Sequence, residues 1–242
     1  MSVPLTLLSC QARDRLTGVS NTERRAPLDR RRVADTALRL LNEVGLEGLT
    51  LRAIARELDV KAPALYWHFK DKQALLDEMA TEMMRRMSAD LMEEPEVPHE
   101  DWRELFFRRM SGLRAHLLRY RDGAKVYAGT HFTDLSYAEP MEANLRMLTQ
   151  AGFTPGHAAR AWFTAYSYTI GYAIEEQAMG PDPAAGAEGY DLDARAERLA
   201  AHPLAAAAGL EMFQDRDRGF ETGLRAVIEG IAATLRTPAT PD

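Results

Sequence analysis

From residue 28 onward the apolar residues of this chain return at steps of three or four, and nowhere do they settle into the two-residue alternation that a half-buried strand requires. The clearest run is Phe220, Leu224, Ile228, Ile231 and Leu235, a seam at steps of four, four, three and four. Trp162, Tyr166, Ile170 and Ala173 form a second stripe, and Leu75, Leu76, Met79, Met83 and Met87 a third. A chain patterned this way is expected to be all-α. Its 242 residues suffice to bury a core without covalent staples, and its one cysteine, Cys10, permits no intrachain disulfide. That usage fits a reducing, cytoplasmic setting. The opening MSVPLTLLSC has no basic residue ahead of its short apolar run, unlike a secretory leader. No segment approaches the roughly 20 apolar residues of a membrane span, so no membrane partner is expected.

Local punctuation divides the chain. Residues 1–27 carry no sustained period and read as a flexible tail, either simply solvated or lending Arg24 and Arg25 to DNA phosphates. Residues 28–72 read as a compact three-helix head. Its first helix follows Asp29 as a cap, carries Val33, Ala37, Leu41 and Val44 on one face, and stops at Gly45. Thr50 caps a short second helix with Ala53, Ile54 and Leu58 inward. Asp59 then turns the chain into a third helix ending near His68, with Pro63 tolerated in the first turn. Residues 73–242 form a helical body. A connector helix over 71–91 starts at Asp71, and the acidic, proline-bearing stretch 93–101 is a loop. Further helices are expected over 102–120, 133–152, 155–178 and 220–235, with a mobile Gly/Pro/Ala-rich loop at 179–192.

The unit from Thr50 to His68 has the layout of a helix-turn-helix, whose second helix enters the DNA major groove, about 12 Å wide. Lys61, Ala62, Ala64, Tyr66, Trp67, His68 and Lys72 would then be presented outward, and large aromatic groups are costly to leave in water without purpose. Spacing alone leaves a second reading open, in which Tyr66 and Trp67 pack onto the first helix and the lysines are merely solvated. The charge distribution suits the first. Residues 24–72 hold 11 Lys/Arg against 7 Asp/Glu, whereas the rest of the chain holds 19 against 29. A basic end on an acidic body confines an electrostatic footprint to that end.

The stretch LDRRRVADTALRLLNEVGLEGLTLRAIARELDVKAPALYWHFKDKQALLDEMATEMM resembles the DNA-binding domain of the tetracycline repressor (TetR) family, most specifically in LLNEVGLEGLT and LYWHFKDKQALLD. YRDGAKVYAGT (120–130), LTQAGF (148–153) and IGYAIEEQ (170–177) carry the likeness into the regulatory domain of the tetracycline-binding members. The resemblance covers 28–178 well and the last helix more loosely. It implies a homodimeric transcriptional repressor on a palindromic double-stranded operator, released by a small-molecule inducer. On it, Arg52, Lys61, Ala62, Pro63 and Ala64 face bases, while Tyr66, Trp67, His68 and Lys72 hold sugar and phosphate. Ala62 and Ala64 stand where tetracycline-binding members have Gln and Thr, so they offer methyl groups but no bidentate contacts. The connector helix acts as a lever that sets the two heads roughly 34–36 Å apart or splays them. Helices 155–178 and 220–235 of each subunit form a four-helix dimer bundle. The 220–235 seam would also suit an isolated core helix. If the seam lies in the bundle, a charge at Ile228 yields monomers.

Pocket positions carried over one by one have mostly changed. Ser88 and Tyr127 replace histidines, the second of them a direct metal ligand. Arg109 replaces an asparagine, Leu113 a phenylalanine and Asn144 a glutamine. Thr130 and Glu175 match, while His131 and Phe132 stand for an arginine and a proline. A phenol with a pKa near 10 is a poor Mg²⁺ ligand, so neither a metal nor another cofactor is expected. What remains is a cavity edged by Tyr127, Phe132, Met141 and Trp162, with Arg109, His131 and Asn144 as polar groups, suited to a planar, oxygenated, polycyclic aromatic compound. The same aromatics also fit a plain core. The six histidines show no metal-ligand spacing and no nucleophile elbow or phosphate loop occurs, so an enzyme is not expected. A metal-tetracycline-responsive repressor and a DNA-binding regulator governed by a protein partner are the remaining alternatives.

Overall fold

The structure, a computed structural model, describes residues 28–93, 101–181 and 189–236. The expected N-terminal tail, nearly all of the acidic loop and the middle of the 179–192 loop lie outside the described residues. Those described form eleven helices and no strand: α1 (Arg30–Gly48), α2 (Leu51–Glu57), α3 (Ala62–Tyr66), α4 (Lys72–Glu93), α5 (Trp102–Leu118), α6 (Gly123–Tyr127), α7 (Ala138–Gln150), α8 (Pro155–Met179), α9 (Leu192–Arg198), α10 (Pro203–Phe213) and α11 (Arg216–Leu235).

The head follows its local signals. The side chains of Asp29, Thr50 and Asp71 accept hydrogen bonds from the amides of Arg32, Ala53 and Ala74, each such cap contributing about 1 kcal/mol. Gly45, at φ +69°, breaks the helical path of α1 where a side chain would be strained. The head's core does not end at residue 72. Val33, Ala37, Leu41, Ile54, Leu65 and Phe69 pack in one continuous apolar cluster with Leu75, Met79 and Met83 of α4, Leu117 of α5 and Val126 of α6. A second cluster lies deeper in the body, around Phe106, Met110, Leu148, Phe153, Phe220 and Leu224.

The body departs from the sequence pattern or settles it in three places. The helix expected over 133–152 begins only at Ala138. Residues ahead of it run irregularly along α4, because the amides of His131 and Thr133 are captured by the side chains of Asp77 and Thr81. Between 192 and 213 the alanine-rich sequence shows no two-faced pattern, yet it forms α9 and α10, in which Gly209 is the one buried residue. Most consequentially, the 220–235 seam faces its own subunit. Phe220, Leu224, Ile228 and Ile231 are buried within a single chain, with α11 packed on α8 and α5.

Close approach fixes that packing. The hydroxyls of Tyr168 and Tyr172 on α8 donate to the carbonyls of Phe220 (3.1 Å) and Arg216 (2.8 Å). They fit because α11 has no side chain at Gly223 and Gly219. A methyl group there would sit 2.2 Å from the Tyr168 oxygen and 2.6 Å from that of Tyr172. Arg114 of α5 completes the joint with a two-pronged bond to Glu176 (2.7 and 2.6 Å) and a contact to Asp217 (2.8 Å), its guanidinium lying over Phe220.

The outward faces of the same two helices are smooth. Gly156, Ala159, Phe163, Ser167 and Gly171 form an exposed stripe on α8, and Thr222, Ala226, Gly230 and Ala233 one on α11. Phe163 is 65% exposed and stacks only on Tyr166 among the rings of the chain.

Candidate DNA interface and ligand pocket

Two anchors hold α3. Leu65 and Phe69 are buried in the head core, while the amides of His68 and Phe69 donate to the carbonyl of Leu65 and close the exit. Helical spacing then forces the residues between them outward. Trp67 is 90% exposed and Tyr66 55%, so the reading in which both pack on α1 does not hold. Lys61, Pro63 and Arg52 are exposed, and Ala62 and Ala64 are half-buried in the bend between α2 and α3. These residues share one surface with two aromatic rings and two cationic side chains. His68 is half-buried beside Phe69. Lys72 is also exposed, but its ammonium donates to the carbonyl of Leu46 (2.9 Å), tying α4 to the end of α1. Its part in the surface is therefore structural as well as electrostatic.

The expected ligand residues divide into groups. Tyr127 is buried beneath Phe132, edge to face at 5.6 Å, and Phe132 stacks on Tyr137 at 5.4 Å. Burial, and then the neighbouring Tyr166, push the Tyr127 phenol far above its ordinary value, so it is a neutral donor. Leu113 is buried in the same cluster. Arg109 of α5 donates to the side-chain carbonyl of Asn144 of α7, a cross-link in which Asn144 is buried. Trp162 stacks on Phe106 at 5.9 Å within the second cluster, and Met141 is half-buried on α7. Ser88 turns its hydroxyl back to the Met84 carbonyl, and Thr130 bonds the carbonyl of Tyr127. His131 is exposed.

Glu175 stands apart from the rest. It is exposed on α8 and opens onto a groove of about 1430 Å³ between α8, α10 and α11, lined with Tyr168, Tyr172 and Asp215. Sequence reasoning did not anticipate this groove, because α10 shows no amphipathic signal. Among the described residues no group of three or more His, Cys, Asp or Glu side chains is arranged to hold a metal ion.

A basic helix-turn-helix head sharing its core with a long connector, on a helical body with an aromatic-walled interior, defines a DNA-binding regulator with a separate sensing domain. Comparison with known proteins agrees. Residues 33–79 match the family of bacterial regulatory proteins, tetR family, and residues 94–235 match the tetracyclin repressor-like C-terminal domain. The tetracycline repressor protein class A from transposon 1721 of Escherichia coli is 39% identical over 202 residues, spanning 83% of this chain and 88% of that protein. A possible TetR family transcriptional regulator from Streptomyces coelicolor A3(2) superposes with a TM-score of 0.73 at 38% identity, over 85% of this chain and 99% of its own. TetR class A in complex with 5a,6-anhydrotetracycline and magnesium gives 0.59 at 34%, over 85% and 98%. The chain belongs to the TetR family of transcriptional regulators. No described helix is long and apolar enough to cross a membrane.

Proposed function

We propose that this chain is a cytoplasmic repressor that holds a palindromic operator as a homodimer and releases it when a polycyclic aromatic compound, such as an aromatic polyketide antibiotic, enters the body, controlling an efflux or resistance gene. The observation that carries the reading is the outward display of Tyr66 and Trp67 beside Lys61 and Arg52, while Leu65 and Phe69 anchor the same helix. Two such heads, one half-site spacing apart, read two major grooves. Ala62 and Ala64 give the head little direct hydrogen-bond readout, which favours thymine methyls in the half-site.

The pocket supports a ligand other than a magnesium chelate. A neutral, buried phenol at Tyr127 donates a hydrogen bond but does not hold Mg²⁺, and Glu175 faces a different surface. The donor set does not fit the ion. Arg109, which bonds Asn144, is the cationic group assigned to meet an acidic hydroxyl or carboxylate of the ligand.

The test is to select the preferred DNA from a random library and then screen aromatic polyketides, including tetracycline with and without Mg²⁺, for its release. Release by a metal-free polycyclic compound is expected. Release by tetracycline only with Mg²⁺ would overturn the reading of Tyr127, and no release by any compound would favour control by a protein partner. With the compound found, Arg109→Ala is expected to weaken binding about tenfold or more, as loss of a charged hydrogen bond does. Unchanged affinity in both Arg109→Ala and Tyr127→Phe sinks the pocket assignment.

A further inference from the structure

Two carboxylates, Glu78 and Glu82, lie buried on the inner face of α4, where an unpaired charge costs several kcal/mol. Four arginines compensate them, and these come from both sides of the helix. From the head, Arg30 donates through Nε to Glu78 at 2.8 Å, and Arg31 meets Glu82 at 3.2 Å. From α4 itself, Arg86 bonds Glu82 and reaches Asp35 and Tyr120. Arg85 is divided among three claims, one of them a 3.1 Å bond from Nη1 to Glu82. Its Nε and Nη2 grip Asp134 at 3.0 and 2.6 Å, while its bonds to Glu78 are stretched to 3.3 Å. Thr133 adds a hydroxyl to Glu78 at 3.1 Å.

Asp134 and Thr133 follow directly on Phe132, the residue that covers Tyr127. At the other end, Arg30 bonds the carbonyl of His68 at 2.6 Å and lies over the Phe69 ring at 4.6 Å, so it clasps the exit of the DNA-reading helix. Glu78 is thus the one acceptor shared by the pocket wall and the clasp.

We propose that Asp134, Arg85, Glu78 and Arg30 form a competitive relay, in which Asp134 takes the shorter bonds of Arg85 and so limits its hold on Glu78, leaving Glu78 to fix Arg30 and, through it, the DNA-reading helix. Displacement of residues 132–134 frees Arg85 to tighten its existing bonds to Glu78 and Glu82, weakening the hold on Arg30 and Arg31. No net charge moves, because the four carboxylates Asp35, Glu78, Glu82 and Asp134 remain matched by four arginines. Only the pairing changes. This deepens the repressor reading and rests on it for its biological meaning.

Asp134 is exposed, so Asp134→Asn tests the relay without threatening the core. In the full chain without ligand, that variant is expected to lose several-fold protection from amide hydrogen exchange over residues 61–70. Its affinity for the selected DNA should fall on the order of tenfold, within the usual range of coupling between sites, while its melting temperature stays within about 2 °C. Adding Arg85→Gln should restore most of both, because the competitor for Glu78 is gone. A merely neutralising role for Arg85 predicts the opposite, a further loss. Unchanged exchange in Asp134→Asn, or a worsened double variant, overturns the relay. If the wild-type chain selects no DNA, the repressor reading fails instead, and the exchange data still judge the relay.

Discussion

Replacing Ile228 with aspartate is expected to unfold the regulatory body, whereas replacing Phe163 with aspartate should leave a folded monomer. Ile228 is 3% exposed and packs against the core shared by α5, α8 and α11. A carboxylate there finds no partner and also removes a well-packed side chain, a combined cost of about 4 kcal/mol or more, a large share of a typical domain's total stability. Phe163 stands on the opposite, solvent-facing side of α8. A charge at that position costs the single chain little but is intolerable at the centre of a subunit interface. Thermal melting and sedimentation velocity together separate the outcomes. A folded, monomeric Ile228→Asp protein would mean that the seam does serve the interface, and a folded dimer of Phe163→Asp would remove the α8 stripe from it.

That pair of substitutions also shows where sequence reasoning stopped. Periodicity revealed that 220–235 is a helix with one apolar face, because spacing is an intrachain property. It does not say whether that face meets its own chain or another, since both burials demand the same residues. In the head, Asp29, Thr50 and Asp71 mark helix starts chemically, whereas Gly45, expected to end α1, only kinks it before Gly48. By contrast, 133–137 was mistaken for the start of a helix because the path of the chain there is imposed by Asp77 and Thr81, far away in sequence. The aromatics of the pocket were visible as residue types. Their division between two clusters, and the outward position of Glu175, are tertiary facts.

A second large effect concerns pH. His116 on α5 is 2% exposed, and among the described residues neither ring nitrogen makes a well-formed hydrogen bond, although the Met83 backbone lies close enough to favour the charged ring. Asp90 is the nearest carboxylate at 3.8 Å, and Arg119 bonds that same carboxylate. Burial first, and then the charge of Arg119, push the His116 imidazole down to about 4, although Asp90 pulls the other way. In the unfolded chain the ring titrates near 6.5, so between these values the unfolded state binds a proton that the folded state refuses. Stability from this group is therefore complete above about pH 6.5 and is lost as pH falls toward 4, a difference of about 3 kcal/mol. His116→Leu removes the titrating ring and both unsatisfied nitrogens. It should melt several degrees higher at pH 5 and show a shallower stability slope between pH 4 and 6.5 than the parent. Equal slopes in the two proteins would show that the histidine is hydrated or paired in solution.

The two tyrosine hydroxyls lodged against Gly219 and Gly223 act as an indexing pin for α11. A side chain in place of either glycine would meet a tyrosine oxygen at 2.2–2.6 Å, so the phase of α11 about its own axis is tied to having glycine at both positions. That phase decides which residues of α11 look outward. The outward face of α11 is thereby fixed by contacts inside one chain, so substitutions at Tyr168, Tyr172 or their glycine slots would turn that face without touching the outer surface.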